Sequence, residues 1–312
     1  MNMRATLGRF FGVAAPSGAD RHHELLGSLL VMAWMVEARD PYTGGHLWRV
    51  SRYAELLAEK TGLRDAEIAR VTIGGFLHDL GKISVPDAIL KKPGGLTAEE
   101  YEVIRTHPEV GMRLLAGHPL ADLARPAVES HHERPDGRGY PRGLAGEAIP
   151  LDARIVGICD AFDAMTSIRP YRSGMPIDAA LDVIRVGLDK QFDAEFGAAF
   201  LGLAGTGTLE HVAGHSDDGI PLQTCVMCGP TLVLTRASMP GDPLYCRCCG
   251  GEYRVVADVA GQLGVEPTGQ RGDARALQPA ADIALIARVL RSAAAQASLD
   301  EMLDGVPHAS PI

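Results

Sequence analysis

Residues 131–141 read HHERPDGRGYP, and this segment limits the fold of the chain more than any other. Neighbouring side chains on a helix point about 100° apart. His131 and His132 therefore cannot readily bind one ion together, although each could bind a different ion in a paired site. Pro135 and the glycines that follow it end any helix and let the backbone approach a ligand. We expect the end of a helix that carries metal ligands and continues into a loop.

Most of the chain before residue 204 has the spacing of amphipathic helices, with apolar residues recurring every three or four positions. A capping-box pattern at Thr97 and Glu100 marks the start of one helix. The chain has 312 residues, of which 46% are hydrophobic, so it can bury a substantial core. The predicted class is mainly α, with helices over 24–39, 46–60, 98–107, 109–115, 120–132, 152–166, 177–188, 194–203 and 282–303, and one more that begins at Asp65 and finishes in the HDLGK segment at 78–82.

Histidine and aspartate side chains at the ends of these predicted helices are candidate metal ligands. A lone histidine such as His46 usually satisfies a local hydrogen bond and means little by itself. The pair His78-Asp79, in the segment HDLGK at 78–82, is more informative. Its imidazole can bind one ion while its carboxylate oxygens reach a second, and Lys82 would face the same cavity. An ordinary helix end is the competing interpretation of this pair.

The predicted helix over 152–166 carries two carboxylates, Asp160 and Asp163, three positions apart on one face. Burying them on a largely apolar helix costs several kcal/mol unless they are paired or bound to metal. A metal ion or a lysine partner would remove that cost. Arg169 and Arg172 follow in a short cationic turn.

Taken together, these motifs resemble the HD-GYP family of metal-dependent cyclic dinucleotide phosphodiesterases, a branch of the HD superfamily. The resemblance covers about residues 22–203 and includes five separated motifs in the order that the family has. It implies an all-helical metallohydrolase domain. It also implies that seven side chains bind the metal centre, with Asp79 bridging two ions: His46, His78, Asp79, His107, His131, His132 and Asp160.

The resemblance further implies which residues act on the ligand. Tyr140, Arg169, Arg172 and Lys82 would contact its phosphates or bases, and Asp163 would pair with Lys82. The catalytic residues would then be Asp79, Lys82 and Asp163.

Two positions depart from the pattern of the family. Some members hold a third metal with a glutamate about one turn before the first histidine, but Tyr42 occupies that position here and no glutamate lies between Glu37 and His46. We therefore expect a dinuclear centre. Pro135 replaces a tryptophan that is common after the HHER segment, and this removes an aromatic surface that could affect ligand stacking or turnover.

The expected chemistry is hydrolysis of a phosphodiester. Two cations roughly 3.5 to 4 Å apart can activate water and stabilise both the attacking and the leaving oxygens. Lys82 and the turn that holds Arg169 and Arg172 would neutralise the phosphate oxygens, and Lys82 is also a candidate proton donor. By resemblance, the substrate is cyclic di-GMP in bacterial second-messenger signalling, opened to linear pGpG; whether a second cut yields GMP is left open. Ligands without sulfur favour iron or manganese, with other divalent ions open.

Two other functions compete with this hypothesis. The chain could bind cyclic di-GMP without useful turnover and act as a sensing or interaction module, or it could be a nucleotide phosphohydrolase of the wider HD superfamily. The complete set of seven candidate ligands argues against the first. The GYP segment at 139–141 argues against the second, because it is not a feature of those enzymes.

Five of the six cysteines lie between residues 225 and 249, as Cys225-x2-Cys228 and Cys246-x-Cys248-Cys249. Two such knuckles flanked by short strands let four thiolates converge on one Zn²⁺, which predicts a structural zinc ribbon rather than a disulfide or redox pair. We expect Cys225, Cys228, Cys246 and Cys249 to bind the zinc and Cys248 to be the spare, although Cys248 could exchange with Cys249. Binding energies of about 10 to 16 kcal/mol in zinc-finger peptides would suffice to hold so small a unit.

These patterns divide the chain into five predicted parts. They are a disordered lead-in over 1–20, the HD-GYP domain over 21–203, a linker over 204–220, the zinc ribbon over 221–258, and a linker with a C-terminal helix over 259–312.

The formal net charge of −9 argues against an extended nucleic-acid surface, because tracking a phosphate backbone needs a basic face. The longest apolar run, over 29–36, is far shorter than the roughly 20 residues that cross a bilayer. Arg9 interrupts the N-terminus and makes a poor signal peptide. We expect a cytoplasmic protein that does not contact membranes. A homodimer, and a protein partner on the ribbon or on the C-terminal helix, are open.

Overall fold

The first two thirds of the chain fold into helices. The computed structural model of the protein describes residues 18–40, 43–92, 94–168 and 174–304, and Tyr42, Arg169 and Arg172 lie outside them. Short 3-10 helices at Leu80–Ser84 and Gly146–Ala148 interrupt the α-helices. The α-helices of this part are α1 (Gly18–Glu37), α2 (His46–Lys60), α3 (Asp65–Leu77), α4 (Asp87–Leu90), α5 (Ala98–Arg105), α6 (His107–Leu115), α7 (Ala121–Ser130), α8 (Leu151–Thr166), α9 (Ile177–Val186) and α10 (Ala194–Leu201).

Helices α2, α3 and α8 form the centre of the helical core. Tyr53 of α2 meets Phe162 of α8 edge-on with ring centres 5.2 Å apart, and Phe162 meets Phe200 of α10 at 4.9 Å. All three rings are fully buried. Burial of each stabilises the fold by roughly 1.5 to 3 kcal/mol. The ends of these helices are thereby fixed relative to one another. The capping box predicted at Thr97 and Glu100 is present at the start of α5.

The C-terminal third contains small antiparallel sheets. Strands β1 (His215–Asp217) and β2 (Ile220–Pro221) pair, as do β3 (Gln223–Thr224) and β4 (Thr231–Leu232). The third sheet has the order β5-β6-β7, formed by β5 (Pro243–Tyr245), β6 (Gly251–Ala257) and β7 (Leu263–Arg271). We call residues 223–271, which contain strands β3 to β7 and the cysteine knuckles, the cysteine module.

Two segments predicted as linkers are structured. Residues 204–220 contain α11 (Thr208–Ala213), whose Leu209 and Val212 are buried in the helical core. The spacing of those two residues is that of a helix, but a six-residue helix between glycines is too short for a clear periodic signal. Residues 263–271 form β7 at an exposed edge, where pairing depends on backbone hydrogen bonds more than on apolar side chains.

The C-terminal helix packs on the protein's own helical core. The predicted helix over 282–303 is divided into α12 (Ile283–Gln296) and α13 (Leu299–Leu303), because Ser298 caps a new helix by accepting a hydrogen bond from the amide of Glu301. Helix α12 packs against α1 and α3. Its Leu285, Ile286 and Val289 are buried there, so this face is not available to a partner. Within the described ranges, no helix combines the length and apolar character that a bilayer span requires.

Candidate metal centre

Five elements bring the predicted metal ligands together. His46 begins α2, His107 begins α6, and Asp160 lies in α8. His78 and Asp79 follow the end of α3 directly, and His131 and His132 follow the end of α7. Six of the seven side chains lie at or directly after helix ends, and Asp160 lies within α8. All seven occur in three overlapping groups, and within each group the ligand atoms lie within 4.8 Å of one another.

The close approach of two elements depends on Gly81. A side-chain carbon on this residue would collide with the carbonyl oxygen of His107 and would lie 2.6 Å from the amide nitrogen of Gly111. The 3-10 helix after Asp79 can therefore pack on the first turn of α6 only because residue 81 is glycine. This packing brings His107 next to Asp79.

Backbone carbonyls fix the orientation of three imidazoles. The Nδ1 atoms of His78, His107 and His131 lie 2.7, 2.8 and 2.8 Å from the carbonyl oxygens of Gly75, Ile104 and Ala127. A carbonyl can only accept a hydrogen bond, so Nδ1 carries the proton and Nε2 carries a lone pair. The Nε2 atoms point toward the centre of the site. Metal-binding histidines are commonly held in this way.

Asp79 lies between two groups of ligands. Its Oδ2 is 3.5 Å from His46 Nε2 and 3.3 Å from His78 Nε2, while its Oδ1 is 3.5 Å from His107 Nε2. Asp160 Oδ1 lies on the same side as His46, 3.5 Å from its Nε2. His46, His78 and Asp160 therefore lie together on one side, and His107, His131 and His132 form a group on the other, although His131 is also close to His78 and Asp160. Asp79 turns one oxygen to each side.

Several buried atoms of this arrangement fit a pair of cations. His78 Nε2 and Asp79 Oδ1 are buried and have no hydrogen-bond partner. The Nε2 atoms of His107 and His131 lie 3.2 Å apart, although each carries a lone pair. A buried acceptor without a partner costs roughly 1 to 3 kcal/mol. Cations among these atoms would remove that cost and the repulsion of the lone pairs.

The local electrostatics also favour cations. Burial lowers the pKa of His107 to about 4 and that of His132 to about 3, so both are neutral and able to bind metal near pH 7. Burial opposes ionisation of Asp79, but Lys82 and the neighbouring histidines hold its pKa well below the usual range. Burial alone would lower the pKa of His46, yet hydrogen bonds to Asp163 and Asp79 raise it to about 9. The side of the site that holds His46 therefore attracts positive charge.

The expected pairing of Asp163 with Lys82 is wrong. Asp163 is fully buried behind His46, where its Oδ2 lies 2.7 Å from His46 Nδ1. Its Oδ1 accepts a hydrogen bond from Arg49 Nε at 2.5 Å. Lys82 instead contacts Asp79, with Nζ 2.6 Å from Oδ2. Asp163 orients His46 and does not face the ligand cleft, which also argues against its expected catalytic role.

A cleft of about 410 Å³ opens beside the metal centre. It is lined by Lys82, His132, Tyr140 and Asp160, and also by Pro135, which replaces the expected tryptophan. The ring of Tyr140 stacks on that of His132 with centres 4.7 Å apart. Two predicted ligand-contacting residues, Lys82 and Tyr140, therefore lie at this cleft, while the other two, Arg169 and Arg172, fall outside the described residues.

The four predicted zinc ligands also come together. Cys228 Sγ lies 3.6 Å from Cys225 Sγ and 3.6 Å from Cys246 Sγ, and Cys225 Sγ lies 3.7 Å from Cys249 Sγ. These separations suit thiolates arranged around one ion. Cys248 is exposed and does not belong to the group.

Comparison with known proteins identifies the family. A family model described as the HD domain matches residues 30–196, which is more than half of the chain. The chain belongs to the HD domain family. The resemblance to the HD-GYP branch that the motifs predicted is confirmed by its similarity to curated phosphodiesterases.

Three relatives of this HD domain protein illustrate the similarity. The cyclic di-GMP phosphodiesterase response regulator RpfG of Xanthomonas campestris is 42% identical over 198 residues, covering 63% of this chain and 51% of that protein. A cyclic di-GMP phosphodiesterase of Thermotoga maritima is 39% identical over 177 residues, covering 56% and 48%. The 3′3′-cGAMP-specific phosphodiesterase 3 of Vibrio cholerae is 42% identical over 166 residues, covering 53% and 36%. The chain thus spans about half the length of the first two relatives.

Two residues that support the HD domain centre were missed by the sequence analysis. Arg49 binds Asp163 and also donates a hydrogen bond to the carbonyl of Gly44 at 2.9 Å. Glu37 accepts hydrogen bonds from the amides of Gly45 and Leu47, at 2.6 and 2.8 Å, and so fixes the start of α2 around His46. Arg49 lies one helical turn after His46, a spacing that could have signalled a shared partner. Nothing local signals the role of Glu37.

Proposed function

We propose that this chain is a metal-dependent phosphodiesterase whose substrate is cyclic di-GMP. The position of Asp79 carries the proposal, because its two oxygens face separate groups of imidazole nitrogens beside an open cleft. The names of the relatives from Xanthomonas campestris and Thermotoga maritima support the choice of substrate.

The donor atoms of the centre suit two divalent ions. Imidazole and carboxylate ligands without sulfur favour iron or manganese, and we propose one of these metals for both positions. When bound, such a pair would activate a water molecule for attack in line with the leaving group and would neutralise charge on the phosphodiester. For the four cysteines we propose Zn²⁺, bound by Cys225, Cys228, Cys246 and Cys249.

The chain's own residues would hold the substrate and move one proton. Lys82 lines the cleft, and its ammonium group can donate a proton to the ribose oxygen as the bond to phosphorus breaks. Tyr140, stacked on His132, would bound the space for the phosphate or base. Arg169 and Arg172 would neutralise the phosphate oxygens. The product would be linear pGpG, with GMP after a second cut.

The test is hydrolysis by protein loaded anaerobically with Fe²⁺ or Mn²⁺. Cyclic di-GMP, 3′3′-cGAMP and a deoxynucleoside triphosphate are incubated separately, and the products are resolved by chromatography. We expect pGpG from cyclic di-GMP, loss of that activity in Asp160→Asn, and no loss in the matched control Asp182→Asn, whose carboxylate is exposed on α9. Binding of cyclic di-GMP without any product would instead support the sensing module.

A second substrate, 3′3′-cGAMP, is favoured by the similarity to the enzyme of Vibrio cholerae that is named for it. Both cyclic dinucleotides present the same phosphodiester to the metal centre, so the bases must decide between them. The ratio of kcat/KM for the two compounds measures the choice. A ratio above one for 3′3′-cGAMP over cyclic di-GMP would reverse our assignment.

We propose that residues 21–203 form the catalytic domain, with α11 and α12 completing its core, and that residues 221–258, together with strand β7, form the zinc ribbon. The grouping of four thiols around one position supports a reducing compartment, and we propose the cytoplasm.

A further inference from the structure

The cysteine module contacts the segment that leads into His46. Arg247, which lies between the buried Cys246 and the exposed Cys248, donates a hydrogen bond from Nη1 to the carbonyl of Ala38 at 2.9 Å. Its guanidinium also lies 5.7 Å from the ring centre of Trp34. A cation at this distance from an aromatic face is attracted to it. One knuckle of the cysteine site is therefore attached to the end of α1.

The end of α1 in turn fixes the start of α2. Glu37 immediately precedes Ala38, and its carboxylate accepts hydrogen bonds from the amides on either side of His46, those of Gly45 and Leu47. A shift of Ala38 would move Glu37 and change the position of the His46 imidazole. Metal sites lose affinity when supporting groups of this kind are displaced.

A second set of contacts joins the module to Gly44. A side-chain carbon on Gly44 would collide with Val233 Cγ2 and would lie 3.3 Å from Thr231 Cγ2. The module thus fills the space beside Gly44. Arg49, which orients Asp163 behind His46, donates to the Gly44 carbonyl at 2.9 Å. Gly44 therefore contacts both the cysteine module and Arg49, one of the residues that orient the imidazole.

We propose that the cysteine module controls metal binding at the catalytic centre, with Arg247 as a positioning residue. An ion bound by the cysteines orders the knuckle that presents Arg247, and this strengthens binding of the ion on the His46 side of the centre. The group of His107, His131 and His132 has no contact of this kind with the module among the described residues. The module therefore acts on one of the two ions. Coupling between binding sites is reciprocal, so an ion at His46 also strengthens binding at the cysteines.

The proposal rests on the metal centre of the proposed function, but its test needs no turnover. The chain, with its cysteine-bound Zn²⁺ retained, is titrated with Mn²⁺, and electron paramagnetic resonance separates single from paired Mn²⁺. In Arg247→Ala we expect about a tenfold or greater loss of affinity for one Mn²⁺, unchanged affinity for the other, and unchanged zinc content. The matched control is Arg254→Ala, an exposed arginine on β6 of the same module.

Removal of the cysteine-bound ion gives an independent measurement. Cys228→Ser should cause the same selective loss at the His46 side, while Cys248→Ser, at the exposed spare thiol, should not. If Arg247→Ala loses zinc or fails to fold, Gly44→Ala replaces it. That change should weaken the same Mn²⁺ site, and Val233→Ala in the same chain should restore it by making room for the added methyl group.

Equal affinities in Arg247→Ala and wild-type protein would overturn the proposal, as would an equal loss at both Mn²⁺ sites, because that result describes general destabilisation. Failure of Val233→Ala to restore Gly44→Ala would also count against it. If cyclic di-GMP is not hydrolysed but the selective loss is observed, the coupling stands and only the proposed function fails.

Discussion

The substitution Asp163→Asn should have two effects: it breaks a buried ion pair, which lowers the free energy of unfolding, and it removes the carboxylate that orients His46, which lowers metal affinity. Asp163 accepts hydrogen bonds from Arg49 at 2.5 and 3.1 Å, and its Oδ2 lies 2.7 Å from His46 Nδ1. Its side chain is 1% exposed and that of Arg49 is 2% exposed. An uncharged amide leaves the arginine unpaired, which costs roughly 3 to 5 kcal/mol of folding free energy. The loss of the carboxylate behind His46 should also lower metal affinity by about 10- to 100-fold.

Asp152→Asn is a matched control on the same helix. Asp152 accepts hydrogen bonds from Arg70 at 2.7 and 2.9 Å and is 3% exposed, and within the described part of the chain it forms no ion pair with a candidate metal-binding histidine. The free energy of unfolding should fall by a similar amount in the two variants, as measured by urea denaturation. Mn²⁺ titration of the folded proteins should show a loss of affinity only in Asp163→Asn. Equal Mn²⁺ affinity in the two variants would refute the role of Asp163 in orienting His46.

Three further predictions concern other parts of the molecule. Gly81→Ala should destabilise the protein by roughly 1 to 3 kcal/mol and weaken metal binding, because the methyl group collides with the His107 carbonyl; unchanged urea midpoints would contradict this. In chelator-treated protein, His107 and His132, with pKa values of about 4 and 3, bind fewer protons than in the unfolded chain, so the Tm should fall from pH 7 to pH 5; a constant Tm would contradict it. Tyr253→Phe removes a hydroxyl 3.1 Å from Cys225 Sγ and should lower zinc affinity about tenfold in chelator competition, whereas equal competition would exclude this role.

The Tm should fall below pH 7 because of the direction in which each histidine pKa is shifted. Below the pKa of about 6.5 that histidine has in the unfolded chain, His107 and His132 bind protons in the unfolded state. In the folded state, these two histidines stay buried and neutral, so acid favours unfolding. The raised pKa of His46 acts in the opposite sense. Its stabilising contribution is fully present below about 6.5 and is lost as the pH rises through about 9.

The candidate metal ligands could be predicted from the sequence because five separated motifs resemble the HD-GYP family in order and residue type. Taken alone, His78-Asp79 was also compatible with an ordinary helix end, so its residue types did not decide the matter. The partner of Asp163 could not be predicted in this way. Arg49 is 114 positions away, and the choice between arginine, lysine and metal depends on packing that a single sequence does not specify.

The C-terminal part was less predictable for a related reason. The apolar residues of α12 showed that it buries one face, but not that the face meets α1 and α3. Most side chains of strand β7 are exposed or half-buried, and the strand pairs with β6 through backbone hydrogen bonds. Its sequence therefore lacks the alternation of apolar and polar residues that would predict a strand. The cysteine spacing, in contrast, correctly grouped four thiols, because each knuckle brings its own two together.

Anomalous X-ray scattering from crystals grown with Mn²⁺ measures whether the centre holds two ions. We expect two peaks roughly 3.5 to 4 Å apart, one near His46, His78 and Asp160 and one near the three other histidines, with the oxygens of Asp79 between them. A single peak there, or scattering only from the metal at the cysteines, would contradict this expectation.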